Sequence, residues 1–154
     1  MDTTRRALLK AAGSAGLIAS AIAAGLLTPV QVLADWNSAA FSATKPTDAL
    51  AAIGASGATT SLDVVVKAPD IADNSAAVPV EVVTTLPNVE SIAILAEKNP
   101  FPLIAHCTLT DFDGTLTIRI KMGETANVRA IVKAGGRLYT AAKEVKVTIG
   151  GCGG

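Results

Sequence analysis

The sequence predicts an all-β domain built from two packed antiparallel sheets, and three observations carry that reading. From Thr59 onward, apolar and polar residues alternate with period two instead of 3.6. Turn signals recur at short intervals, at Pro69-Asp70, Pro87-Asn88, Asn99-Pro100, Asp111–Gly114 and Gly135-Gly136. No helical pattern separates the strands, which suits hairpin connections and a sandwich. The count is seven strands, each of about five to ten residues.

The elements follow in chain order, beginning with a segment that is not part of the fold. Arg5 and Arg6 stand together near the start, Leu8 and Leu9 follow, and Lys10 closes the basic region. A weakly apolar stretch then runs from Ala11 to Leu33, and Val32-Leu33-Ala34 offers the short side chains a signal peptidase reads, with Asp35 after them. A charged head, an apolar middle and a small-residue exit describe a signal peptide. Paired arginines point to the twin-arginine route, which exports folded proteins to the periplasm. The competing reading is a retained membrane anchor, for which the stretch is long enough. Gly13, Gly16, Gly25 and Pro29 make it a poor permanent helix. Cleavage after Ala34 is expected, so residues 1–34 are set apart and no membrane contact remains after it.

The remaining residues, 35–154, suffice for one domain with its own core. They hold ten Lys or Arg against twelve Asp or Glu, a formal charge of −2, with no basic block longer than two residues. That balance argues against nucleic acid or an anionic membrane surface as a partner.

Residues 35–57 read as an N-terminal helical arm. Trp36, Ala39, Ala40 and Ala43 share a face with Phe41 beside them, Pro46 breaks the run, and Thr47 can cap a second helix carrying Ala49, Leu50 and Ile53. Gly54 and Gly57 stop it. The arm can cover an open edge of its own domain, or dock a second chain through Trp36 and Phe41.

Residues 58–149 form the sandwich. Leu62, Val64 and Val66 set the first parity; Asp70–Ala77 is a loop; Val78, Val80 and Val82 set the next, with Pro79 marking an edge or a strand start. Ser91–Glu97 is a short apolar strand. Leu103, Ala105, Cys107 and Leu109 share one face, predicting Cys107 buried and His106 outside. Leu116, Ile118, Ile120 and Met122 point inward, as do Val128, Ala130, Val132 and Ala134, and Gly135-Gly136 turns tightly into Val145, Val147 and Ile149.

Residues 150–154 are a tail of different character. Cys152 is flanked by Gly150, Gly151, Gly153 and Gly154. Four residues without Cβ cannot pack a core and resist ordering, so a flexible segment is expected. Terminal fraying with an incidental thiol is the plainer account, but an accessible thiol in an oxidising compartment is a chemical liability whose placement suggests use. The two cysteines do not make a disulfide framework; the expectation is an inert Cys107 and an accessible Cys152.

Conventional catalysis finds little support. His106 is the only imidazole, and it could serve Cys152 as a base only if the tail folded back to it. No spacing suits zinc or calcium, no phosphate loop or dinucleotide fingerprint occurs, and no cofactor is expected. What survives is a carrier: a thiolate on a thin, flexible tether that delivers a covalent intermediate into partner sites at raised effective concentration. Sulfur is its natural cargo.

The chain resembles the SoxY family. The resemblance rests on T-R-R-A-L-L-K in the leader, K-A-P-D-I-A-D-N at Lys67–Asn74, and V-P-V-E-V at Val78–Val82. It extends through E-K-N-P-F-P at Glu97–Pro102, T-I-R-I-K-M at Thr117–Met122, Gly135–Tyr139 and V-K-V-T-I-G-G-C-G-G at Val145–Gly154. Ala72–Ala76 departs from it, reading A-D-N-S-A where the family often has A-E-N-G. The resemblance implies an immunoglobulin-like sandwich paired with a SoxZ subunit, and a swinging arm whose Cys152 bears thiosulfate-derived sulfur. It implies that a c-type cytochrome loads the cargo, a hydrolase releases sulfate and a sulfur dehydrogenase oxidises the remaining sulfur, the carrier itself being non-catalytic. Two other classes stay open on the residues alone: an adhesive or structural subunit with an intermolecular Cys152 disulfide, and a thiol oxidoreductase, which lacks a resolving cysteine near Cys152.

Overall fold

The structure, a computed structural model, describes residues 37–148. The leader and its cleavage point, Trp36, Ile149 and the tail with Cys152 and its four glycines lie outside the described residues.

Two short helices come first. Helix α1 spans Ser38–Ser42 and α2 spans Pro46–Ala52. Asn37 caps α1 by accepting from the Ala40 N–H at 3.0 Å, and its amide donates to the Ala52 carbonyl at 2.9 Å, tying one helix start to the other helix end. The expected Thr47 cap is corrected: Pro46 occupies the first turn and Lys45 is the capping position. Proline's fixed φ suits the first helical residue, where its missing N–H costs nothing. The helices bury Ala40, Ala49 and Ala55 against Ala93, Leu95, Leu103 and Ile131. The arm thus packs on its own domain, over the outer face of a sheet instead of along an edge.

The strands are β1 Thr59–Thr60, β2 Val64–Lys67, β3 Ile71–Ala72, β4 Val78–Thr84, β5 Val89–Ala96, β6 Leu103–Thr108, β7 Thr115–Ile120, β8 Ala126–Ala134 and β9 Arg137–Val147. One sheet runs β1-β9-β8-β5-β6 with β3 also on β9; the other runs β2-β4-β7. All pairings are antiparallel except the two-residue bridges of β1 and β3 to β9. The seven longer strands are those the alternation indicated. The arrangement, all-β with two facing sheets and short N-terminal helices, is consistent with an immunoglobulin-like sandwich.

The inner faces meet in one core. Val78, Val80 and Val82 of β4 and Ile120 of β7 face Ile92 and Ile94 of β5 and Val128, Ala130 and Val132 of β8, all buried. Each fully buried Val or Ile contributes about 1.5–3 kcal/mol of transfer energy. Strands β5 and β8 are buried on both faces, because Ala93, Leu95 and Ile131 lie under the helices. That double burial is why Ser91–Glu97 is an apolar run and not an alternating one.

Several expectations are corrected. Leu62 is 96 % exposed, because β2 begins only at Val64. Leu103 does not share a face with Cys107. The β5–β6 pairing slips at Ile94/Leu95, so Leu103 lies opposite Leu95 and Ile104 turns to the inner core. Leu116 and Ile118 are only half-buried, since β7 is an edge strand, whereas Ile120 and Met122 are fully buried. Pro79 sits in a central strand but beyond the end of β2, whose last pair is Lys67 with Glu81. Its absent N–H therefore leaves no ladder bond unmade.

Two glycine sites require glycine. Gly135 and Gly136 take φ of +55° and +74° in a two-residue hairpin between Ala134 and Arg137. Gly114 has φ of +92°, and a Cβ there would lie 2.8 Å from the Thr84 carbonyl oxygen.

Candidate functional site

The predicted reactive residue lies just past β9, so the geometry that matters is how that strand ends. On one side β9 pairs with β8 from Ala134/Arg137 to Ala126/Val145. On the other, Ile71 and Ala72 pair with Lys146 and Val147, and the Lys146 N–H donates to the Asp70 carbonyl at 2.9 Å. Lys143 pairs with Asp70 at 3.0 Å. The Val147 N–H donates to Thr125 Oγ1 at 2.9 Å, where a hydroxyl from the loop before β8 takes over from the ladder. Val145 is fully buried beneath these contacts. The mount is thus held to Val147 from both sides, and an extended chain from Thr148 places Cys152 within about 13 Å. Sequence patterning could not reveal the Thr125 grip, since a lone threonine in a turn carries no signal.

The other candidates do not gather around this point. Cys107 is a free thiol and only half-buried, correcting the expectation of full burial: β6 is an edge strand and shields one flank only. Cys107 lies opposite Ile92 on the inner face, while exposed His106 lies opposite Ala93 on the outer face. The two therefore point away from each other and form no thiol–imidazole pair. Strand β6 is three positions from β9 in the sheet, about 14 Å at the usual spacing. Among the described residues no group of three or more His, Cys, Asp or Glu could hold a metal ion.

The electrostatics of the domain are those of a scaffold. Glu97 pairs with Arg129, which also reaches Thr140 at 3.4 Å, and Asn127 donates to the other Glu97 oxygen. Lys67 pairs with Glu81. The Glu90 carboxyl is held below its ordinary pKa by the Lys133 ammonium and then by the Gly136 N–H, which donates to it at 2.7 Å across the β8–β9 hairpin.

Fold and site together define a β-sandwich whose candidate nucleophile, Cys152, follows its last strand in the sequence. The chain belongs to the SoxY family, described as "Sulfur oxidation protein SoxY", which matches residues 49–152 and so runs through Cys152. Among solved structures it is similar to the sulfur carrier protein SoxY from Chlorobium limicola f thiosulfatophilum, at 39 % identity and a TM-score of 0.62, over 73 % of this chain and 100 % of that one. It is also similar to superoxide reductase (neelaredoxin) from Ignicoccus hospitalis, at 18 % identity and a TM-score of 0.48, over 55 % of this chain and 80 % of that one. No curated protein matches.

Proposed function

We propose that this chain is a covalent sulfur carrier, holding thiosulfate-derived intermediates on Cys152 and presenting them to the enzymes of thiosulfate oxidation. The observation that carries the reading is the family match, which extends to Cys152 a few residues past a strand gripped on both sides. The relative from Chlorobium limicola is itself a sulfur carrier protein.

In this reading β9 is the mount, and Gly150, Gly151, Gly153 and Gly154 make the swinging arm thin enough to enter narrow partner sites. Oxidative coupling of the Cys152 thiolate to thiosulfate forms one sulfur–sulfur bond and yields two electrons, which a c-type cytochrome takes up. A hydrolase then releases sulfate with water, and a sulfur dehydrogenase oxidises the sulfur left on the cysteine. The chain supplies the tether and no acid–base group, so it is not itself an enzyme, and it needs no cofactor. It works in the periplasm, exported by the twin-arginine route with cleavage after Ala34, and pairs with a SoxZ subunit.

The test is a pair of variants in the reconstituted system. Cys152→Ser should abolish the thiosulfate-dependent mass adduct while the melting temperature stays unchanged. Gly150→Val with Gly151→Val should leave the thiol reactive toward iodoacetamide but lower turnover at least about tenfold, since β-branched residues stiffen and thicken the arm. An adduct that survives Cys152→Ser, or full turnover by the double valine chain, refutes the reading. A permanent Cys152-linked dimer marks a structural subunit instead.

A further inference from the structure

An open groove of about 560 Å³ lies between the β5–β6 turn and the end of β7. Its floor is apolar: Leu103 and Ile120 are buried and Ile104 is half-buried. One wall is Phe101, which is 55 % exposed and is the only aromatic exposed among the described residues. The other wall carries Arg119 and Lys121, both exposed. No carboxylate lines the groove. Arg119 and Lys121 form no ion pair among the described residues, whereas Lys67, Arg129, Lys133 and Lys143 each have a carboxylate partner.

Phe101 is not an incidental side chain on a loose loop. Asn99 clamps its turn to the end of β7: the Asn99 amide donates to the Lys121 carbonyl at 2.7 Å, and the Gly123 N–H donates to Asn99 Oδ1 at 2.9 Å. The Ala96 N–H donates to the Pro102 carbonyl at 2.9 Å, and the Asn99 N–H to the Ala96 carbonyl at 3.0 Å. With the backbone of its turn held in this way, Phe101 has only its side-chain rotamers left to order on binding, which suits an anchor.

We propose that this groove is a docking surface for an acidic partner protein, which seats an apolar side chain beside Phe101 and sets carboxylates against Arg119 and Lys121. The proposal deepens the carrier reading and rests on it for the partner class, an enzyme that handles the cargo in passing. A permanent subunit would demand a larger and more apolar interface than one aromatic and a short floor provide. A second copy meeting groove to groove would bring Arg119 and Lys121 against their own counterparts. A free anion gains nothing from an apolar floor with no buried donors converging on it. Paired charges at such a rim steer encounter and make it sensitive to salt.

The experiment titrates the full exported chain, purified with its partner subunit, against the purified cytochrome, hydrolase and sulfur dehydrogenase in turn. At least one of the three should bind, with affinity falling about tenfold or more between about 50 and 300 mM NaCl. Phe101→Ala, and separately Arg119→Glu with Lys121→Glu, should each weaken that binding about tenfold at low salt, while Lys67→Glu on the other edge strand of that sheet leaves it unchanged. Cys152→Ser should dock like the native chain, so a failure of docking is read apart from a failure of cargo loading, which the mass adduct reports. If none of the three binds, or all bind the groove variants as tightly as the native chain, the proposal is overturned. In that case, millimolar thiosulfate shifting the amide signals of Arg119 and Lys121 would reassign the groove as an anion subsite.

Discussion

Replacing Gly114 with alanine separates two costs that usually arrive together. The backbone there has φ of +92°, and the Thr84 N–H donates to the Gly114 carbonyl at 2.8 Å, closing the end of the β4–β7 ladder. An added Cβ would stand 2.8 Å from the Thr84 carbonyl oxygen, which belongs to backbone and cannot rotate away. Gly135 also has positive φ, at +55°, but nothing lies within 4 Å of its imagined Cβ. Gly135→Ala therefore isolates the conformational cost, about 1–2 kcal/mol for an L-residue in the left-handed region. Reduced freedom of the unfolded chain offsets this by about 0.4–1 kcal/mol, leaving roughly 1 kcal/mol. Gly114→Ala carries that cost plus a strained contact of about 1–3 kcal/mol, through backbone displacement or a lengthened ladder bond. The expected destabilisation is about 2–4 kcal/mol. Urea unfolding of the two variants side by side measures the difference. If Gly114→Ala costs no more than Gly135→Ala, the close approach to Thr84 does not constrain the turn and the reasoning fails.

Two further outcomes follow from burial and charge. Ile120→Ala should cost about 2–5 kcal/mol, the range for a fully enclosed aliphatic side chain, whereas half-exposed Ile118→Ala should cost only about 1–2 kcal/mol; equal values in urea unfolding would show that β7 is not an edge. Glu90 has its pKa lowered in the folded state, so its stabilising effect is complete above the ordinary glutamate range and is lost as pH falls through the depressed folded value. The stability difference between the native chain and Glu90→Gln should therefore be constant near neutrality and shrink only on acidification below about pH 4; a difference that instead changes between pH 6 and 8 contradicts the assignment to this carboxylate.

How much could be read from the chain alone depends on whether a signal was local. The β8–β9 hairpin was legible because alternation on both sides converged on Gly135-Gly136. The parity of Val78, Val80 and Val82 was legible for the same reason. The slip at Ile104 was not, since nothing in Leu103–Cys107 distinguishes a bulge from a regular strand until β5 is laid beside it. Whether a strand is central or at an edge is likewise a property of its neighbours, which is why Leu116, Ile118 and Cys107 looked more enclosed than they are. Glu97 and Arg129 find each other across 32 residues with no sequence cue. Of the site, Cys152 stood out through its four glycines. The mount that holds its strand, through Thr125 and the short β3, emerged only from tertiary structure.

The way β9 is held has a mechanical consequence. A pull applied at Val147 along the axis of β9 meets the hydrogen bonds of the antiparallel β8 ladder, which run across that axis, and the slanted bonds of the parallel bridge to β3. Force applied in this direction loads the whole row of bonds in shear at once and does not peel them open one by one from an end. The short parallel bridge at Ile71 and Ala72 sits where the load enters, so the first bonds to feel tension are braced on both flanks. On the carrier reading proposed above, this geometry suits a chain that has to be tugged without coming apart.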